Sequence, residues 1–251
     1  MASVSGIVIT RNEERHISDC LGTLTWADEI VVVDSQSTDR TVARARRFTE
    51  RVHDLPFVNF ARTRNAALDL ARCDWAFFLD ADERVSDALA TEVRDCISSP
   101  EPHSGYWVPR RNFILGRWMG HTGWYPDYQL RLFQRSRGRY DEAREVHEVV
   151  LLDGSAGRLA QAILHYNYES LGEVFSRQRR YASLQAATLR RAGRRAQPHN
   201  LVLQPLRELR RRYVTLRGYR DGVHGLFLSL VMAYYEFLVY AKLARLSVRR
   251  A

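Results

Sequence analysis

A mixed α/β fold on a mostly parallel sheet, extended at its C-terminal end by basic helices, is what this sequence predicts. Three observations carry that expectation. Short apolar runs alternate with helical patterns over the first hundred residues, the signature of βαβ units. Polar residues follow those runs at once, where a parallel sheet leaves its carboxyl ends open to ligand. From Arg177 to the end the chain holds 17 Lys and Arg against 3 Asp and Glu, whereas residues 1–176 hold 21 against 26. The net charge of +9 is therefore a mildly acidic body joined to a strongly basic tail.

In chain order, residues 6–10 (Gly-Ile-Val-Ile-Thr) predict a buried strand. Asn12-Glu13-Glu14 then supplies an N-cap and acidic first turn for a helix to about Leu24. Residues 29–34 are the second strand, and Ser37-Thr38-Asp39 caps a helix ending near Phe48. Residues 51–53 form a short strand, 59–71 a helix, and 75–79 a fourth strand that ends in Asp80-Ala-Asp82-Glu83. After a helix over 86–97 and the Pro100-Glu-Pro102 break, residues 106–115, 128–133 and 146–152 read as antiparallel additions to the same sheet. Helices follow over about 170–193, 199–217 and 221–246. The division expected is 1–169 for the α/β domain and 170–251 for the helical extension.

Composition excludes several classes. With 251 residues, 45% of them hydrophobic, the chain has material for a sizeable core and is not a disordered tail protein. Cys20, Cys73 and Cys96 are odd in number and lack CxxC spacing, so neither a disulfide framework nor a four-thiolate zinc site is available. Residues 1–9 lack the basic and long apolar regions of a signal peptide, which places the expectation on the cytoplasmic side. All but one of the tail's basic residues are arginine, which suits phosphate binding and equally reflects a GC-rich genome.

The sharpest chemical signal is Asp80-x-Asp82 directly after an apolar strand. Two carboxylates on that turn can divide the work, one reaching a sugar hydroxyl and the other a hard cation, Mg²⁺ or Mn²⁺, that also takes phosphate oxygens. Acidic turns after strands are common, so context decides. Thr10, Asn12 and Glu13 follow the first strand, and Asp34 to Asp39 the second, so polar groups from several strand ends converge on one crevice, as a nucleotide requires. Asn12 and Asp39 also serve as helix caps, but capping leaves Asp34 unexplained. Arg64, in a helix near the same edge, offers a guanidinium for diphosphate charge; Arg62 reads as an exposed helical arginine.

The ordered stretches Ile-Val-Ile-Thr10-Arg-Asn12-Glu13, Val-Val-Val-Asp34-Ser-Gln-Ser37-Thr38-Asp39, Thr63-Arg64-Asn65 and Leu-Asp80-Ala-Asp82-Glu83 resemble glycosyltransferase family 2, the inverting enzymes of the GT-A fold. Trp124-Tyr-Pro-Asp127-Tyr-Gln-Leu-Arg131, Val146-His147-Glu148 and Leu164-His165-Tyr166 resemble its lipopolysaccharide-core β-1,4-glucosyltransferase branch. This resemblance implies that Thr10, Asn12, Glu13 and Asp34 hold the base and ribose, Arg64 the base or diphosphate, and Asp80 the ribose or sugar. It gives Asp82 to the metal, with His147 or His165 completing the shell. Asp127 best matches the general base, with Glu148 as its rival. Arg131 binds diphosphate or pairs with Asp127. Trp118, Trp124, Tyr125 and Tyr128 serve as sugar platforms or as core.

The activity so implied is transfer of a hexose, glucose from UDP-glucose, to a lipid-linked or cell-envelope glycan, with a polyprenyl-phosphate or protein acceptor open. Residues 226–240 approach membrane-spanning length but contain Glu236. Arginines over 207–220 and three tyrosines suit an in-plane helix on an anionic leaflet; the other use of that helix is packing, within the chain or in a homodimer. A nucleic-acid-binding protein or an inactive nucleotide-sugar scaffold is the competing class. No nucleic-acid-binding motif is present, and none is expected as a partner.

Overall fold

The computed structural model describes residues 2–143 and 149–248. The chain divides into two compact units, residues 1–110 with 127–165 and residues 111–126 with 166–251.

The first unit begins with β1 (Val4–Thr10), α1 (Ile17–Gly22), β2 (Glu29–Asp34), α2 (Thr41–Ala45), β3 (Val52–Asp54), α3 (Phe60–Leu70), β4 (Trp75–Asp80), β5 (Glu83–Arg84) and α4 (Asp87–Ile97). Next comes β6 (Gly105–Ile114), which passes into the second unit ahead of β7 (Arg117–Trp118). The first unit resumes with β8 (Asp127–Gln134), β9 (Gly138–Tyr140), β10 (Val150–Leu152), β11 (Ala156–Arg158) and the start of β12 (Ile163–Tyr168), whose last three residues belong to the second unit. The sheet order is β3-β2-β1-β4-β8-β6-β12-β5. β3, β2, β1 and β4 are mutually parallel, whereas β8 runs antiparallel to both β4 and β6. This mixed sheet is the GT-A architecture that the sequence leads one to expect.

Strands buried on both faces are built of apolar runs, as in residues 30–33 of β2, 75–79 of β4 and 7–9 of β1, where the buried Ser5 is satisfied by Glu29. Val8, Val32, Phe77 and Leu79 point to one side, against Leu21, Leu89 and Val93. Ile7, Val33 and Phe78 point to the other, against Ala61, Leu68 and Phe133. Each such buried Val, Leu, Ile or Phe contributes about 1.5–3 kcal/mol. Caps set the ends of the longer helices: Asn59 accepts from the Arg62 amide and Ser86 from that of Leu89.

Three expectations need correction. The helix expected from Asn12 is only the six residues of α1, because Asn12 has φ 55, a left-handed conformation that no α-helix accommodates. The second helix likewise shrinks to the five residues of α2. β10 does not join the main sheet; it pairs with β9 in a two-stranded sheet of its own, and residues 146–148 of that expected strand lie outside the described residues.

The second unit holds α5 (Leu171–Arg191), α6 (Asn200–Arg210), a π turn (Arg211–Thr215), a 3₁₀ turn (Gly218–Asp221) and α7 (Gly222–Val248). α7 packs on α5 and α6. Its Leu228 and Val231 join Met119, Tyr168 and Val174 in a separate core. Trp124 packs against this core and Arg212 lies over its ring, whereas Trp118 stays exposed beside Tyr125. A Cβ on Gly225 would come within 1.9 Å of the Gly218 carbonyl oxygen, so the entry to α7 requires glycine there.

Candidate active site

Three parallel strands of the first unit end side by side. Thr10 lies opposite Asp34 and Ile9 opposite Asp80, so the ends of β1, β2 and β4 share one edge. β2 lies on one side of β1 and β4 on the other. That reversal is the switch point at which open α/β sheets bind ligands.

The loops leaving this edge are tied by side chains. The Ser37 amide and hydroxyl donate to the two oxygens of Asp34 at 2.7 and 2.5 Å, and the Asn12 amide donates to Ser37 Oγ at 2.7 Å. Asn12 Oδ1 accepts from the Thr38 amide, and the Glu13 amide donates to Thr41 Oγ1, both at 2.8 Å. Asp34 is thus the buried anchor of the turn at residues 34–37, and Asn12 ties the first loop to the second. Asp39 accepts from the amides of Glu14 and Thr41. Among the described residues the buried Thr10 Oγ1 has no hydrogen-bond partner, which leaves a polar group at the strand end for a ligand to satisfy.

At the end of β4, Asp80 sits between two buried guanidiniums. Arg64 of α3 donates to Asp80 Oδ1 at 2.7 Å, and Arg131 of β8 pairs with both Asp80 and Glu83. The Arg64 guanidinium also lies over the rings of Phe78 and Tyr140 at 5.7 and 5.5 Å. Burial pushes the Asp80 carboxyl up, but Arg131 and Arg64 outweigh it and hold it well below the usual carboxylate range.

Glu83 is fully buried and carries the network onward. Its Oε2 accepts from the Asp80 amide at 2.9 Å, and its Oε1 accepts from Arg131 at 2.9 Å and from Arg110 at 3.2 Å. Arg110 stands directly opposite Asp127 between β6 and β8, and donates to Asp127 Oδ2 through Nε at 2.9 Å and a terminal nitrogen at 2.5 Å. Gln129 donates to the other oxygen. Three carboxylates thus alternate with three guanidiniums from Arg64 to Asp127.

Antiparallel pairing of β12 with β5 sets His165 opposite Glu83, and His165 Nε2 comes to 3.4 Å from Asp82 Oδ2. Burial pulls the imidazole pKa down, but the Asp82 contact and the Glu83 charge more than offset it and raise it above the ordinary histidine value. Among the described residues no three His, Cys, Asp or Glu side chains converge on one point. Asp82 and His165 nevertheless form an oxygen and nitrogen pair. Asp82 is a hard oxygen ligand of the kind Mg²⁺ or Mn²⁺ takes, with water and substrate phosphates filling the other positions, whereas His165 would have to give up its proton and its contact with Asp82 to join it.

The structure thus brings together Thr10, Asp34, Asp80, Arg64 and Arg131 around the switch point, with Asp82 beside His165, and it links Asp127 to them through Arg110 and Glu83. His147 and Glu148 lie outside the described residues. Arg131 pairs with Asp80 and Glu83, while Arg110 takes Asp127. Arg110 and Glu83 are the residues that sequence reasoning missed. The available signals were an acid immediately after Asp82 and an arginine in an alternating strand.

Residues 5–148 match the family model described as glycosyl transferase family 2. Lipopolysaccharide core biosynthesis glycosyltransferase LpsC of Rhizobium meliloti is 29% identical over 251 residues, spanning 96% of this chain and 91% of that protein. An uncharacterized glycosyltransferase of Rickettsia conorii is 24% identical over 98% of this chain and 91% of its own length. Among solved structures, S. aureus TarS in complex with UDP aligns with a TM-score of 0.47 at 16% identity, covering 99% of this chain and 91% of that one.

Proposed function

Because the chain belongs to glycosyl transferase family 2, we propose that it transfers a hexose, glucose from UDP-glucose, with inversion to a lipid-linked or cell-envelope glycan of the lipopolysaccharide-core kind. That the chain is a glycosyltransferase follows from the family itself. The donor, acceptor and residue roles are our reading. The observation that carries it is Asp80 held between Arg64 and Arg131 at the switch point, with Asp82 and His165 beside it. The name of the relative LpsC supports a lipopolysaccharide-core acceptor.

Thr10, Asn12, Glu13 and Asp34 receive the base and ribose, and Asp80 takes a ribose or sugar hydroxyl. Arg64 and Arg131 share diphosphate charge as the leaving group departs in this reading. Asp82 and His165 would hold Mg²⁺ or Mn²⁺, which when bound supplies positive charge to that diphosphate. Asp127 accepts the proton of the acceptor hydroxyl as the oxygen attacks the anomeric carbon in line, breaking the bond to UDP. Arg110 holds the Asp127 carboxylate in orientation until then.

Calorimetry with UDP-glucose, UDP-GlcNAc, UDP-galactose, GDP-mannose and ADP-heptose, with and without Mn²⁺ or Mg²⁺, tests the donor reading. Metal-dependent binding of UDP-glucose above the others, lost in Asp82→Asn, is the expected result. Equal binding without metal would remove Asp82 from its role, and preference for another nucleotide sugar would replace the donor.

A further inference from the structure

The outer side of the second unit's helices is apolar and basic at once. On α6, Val202, Leu203 and Leu206 are exposed, Val202 by 59%, and share one face at helical spacing. Val214 in the π turn and Tyr219 are exposed too. Val223, 80% exposed, with Leu226 and Leu230, continues the pattern at i, i+3 and i+7 on α7. None of these belongs to the unit's core, which α7 serves with Leu228 and Val231. The first half of α7 is therefore apolar on two sides, only one of which packs.

Arginine interleaves with these residues at 207, 210, 211, 217 and 220. The two acids of the segment are already engaged. Glu208 accepts from Arg211 and Arg212 at 2.7 and 2.6 Å, and Asp221 is buried under the His121 amide and the Thr122 hydroxyl, each at 3.0 Å. What faces outward is guanidinium and hydrocarbon.

We propose that α6, the π turn and the first turns of α7 form a docking surface for an anionic lipid bilayer, lying in its interfacial plane. Valine and leucine enter the acyl boundary while the arginines meet headgroup phosphates. A nucleic acid would satisfy the arginines and leave the apolar residues in water. A second copy seated on the same face would set arginine against arginine. α7 has the length and composition to cross a membrane, but its Leu228, Val231, Val239 and Leu243 are buried within the protein and Glu236 interrupts it. It lies on the bilayer. This surface is independent of the donor assignment.

The full chain sedimented with vesicles of equal parts phosphatidylglycerol and phosphatidylethanolamine, and with phosphatidylcholine alone, provides the test. Binding to the anionic vesicles that weakens with salt is expected. Leu206→Glu with Val223→Glu should lower it by at least about tenfold, with circular dichroism and melting temperature unchanged because both sites are exposed. Should that pair not fold, Leu206→Ser with Val223→Ser gives the same ranking. Arg210→Gln with Arg217→Gln should weaken binding and flatten its salt dependence. Three results overturn the proposal: no binding by the wild type, anionic binding indifferent to the apolar substitutions, or a dimer in light scattering that those substitutions dissociate.

Discussion

Glu83 has no exposed surface, yet it accepts hydrogen bonds from Arg131, Arg110 and the Asp80 amide. Removing one partner from a buried charge network leaves its neighbours uncompensated, at a cost of about 3–5 kcal/mol. Glu83→Gln keeps the shape and one acceptor, so it should cost less than Glu83→Ala, and thermal melting ranks the two; equal melting temperatures would mean that the lost charge accounts for the whole cost. Asp127 stands at the other end of this chain of pairs. Asp127→Asn keeps the size of the side chain and one acceptor oxygen for Arg110 while removing the proposed proton acceptor. Turnover should fall by about 10²–10⁴-fold, with UDP affinity near wild type by calorimetry. Loss of both in equal measure would point to a structural role.

Among elements, α7 carries its own testable flaw. Burial, with the like charge of Glu208 adding to it, raises the Glu236 carboxyl above the usual glutamate range, against the opposing pull of Arg211 and Arg212. A carboxyl raised in the folded state destabilises it wherever the group is charged, that is, above its folded pKa. That penalty fades as pH falls toward the ordinary glutamate value, where both states are protonated. Glu236→Gln should therefore raise the melting temperature at neutral and alkaline pH, with the gain shrinking to nothing in mild acid. A gain independent of pH would assign the effect to packing. Elements differ in how openly the sequence declares them. β2 and β4 are legible because a strand buried on both faces must be an apolar run, and a polar residue ends it. α1 is not, since Asn12 spends its side chain on the Thr38 amide in a left-handed turn. Nor is the pairing of β10 with β9, because alternation marks a strand without naming its neighbour. In the site, Asp80 and Asp82 are legible as acids at a strand end. Arg110 gains its meaning from register alone, which sets it opposite Asp127 across two antiparallel strands.

At the scale of the whole molecule, the charge asymmetry of the sequence coincides with two surfaces of different chemistry. The strand ends of the first unit offer carboxylates and buried guanidiniums, and the second unit's helices offer exposed arginine with valine and leucine. Hydrogen exchange separates them. The amides of Asn12, Glu13 and Thr38 are each held by a single side-chain acceptor, an arrangement that opens locally at small cost. A nucleotide seated on these loops must close them. At about a hundredfold excess over its Kd, UDP with Mn²⁺ should deepen their protection by about 2.7 kcal/mol, slowing exchange roughly a hundredfold. Anionic vesicles should leave those amides unchanged and slow exchange over residues 202–230 instead. Protection of the helices by UDP, to the same extent as the strand ends, would move the donor away from the switch point; protection of the strand ends by vesicles would show that lipid and donor answer to one surface.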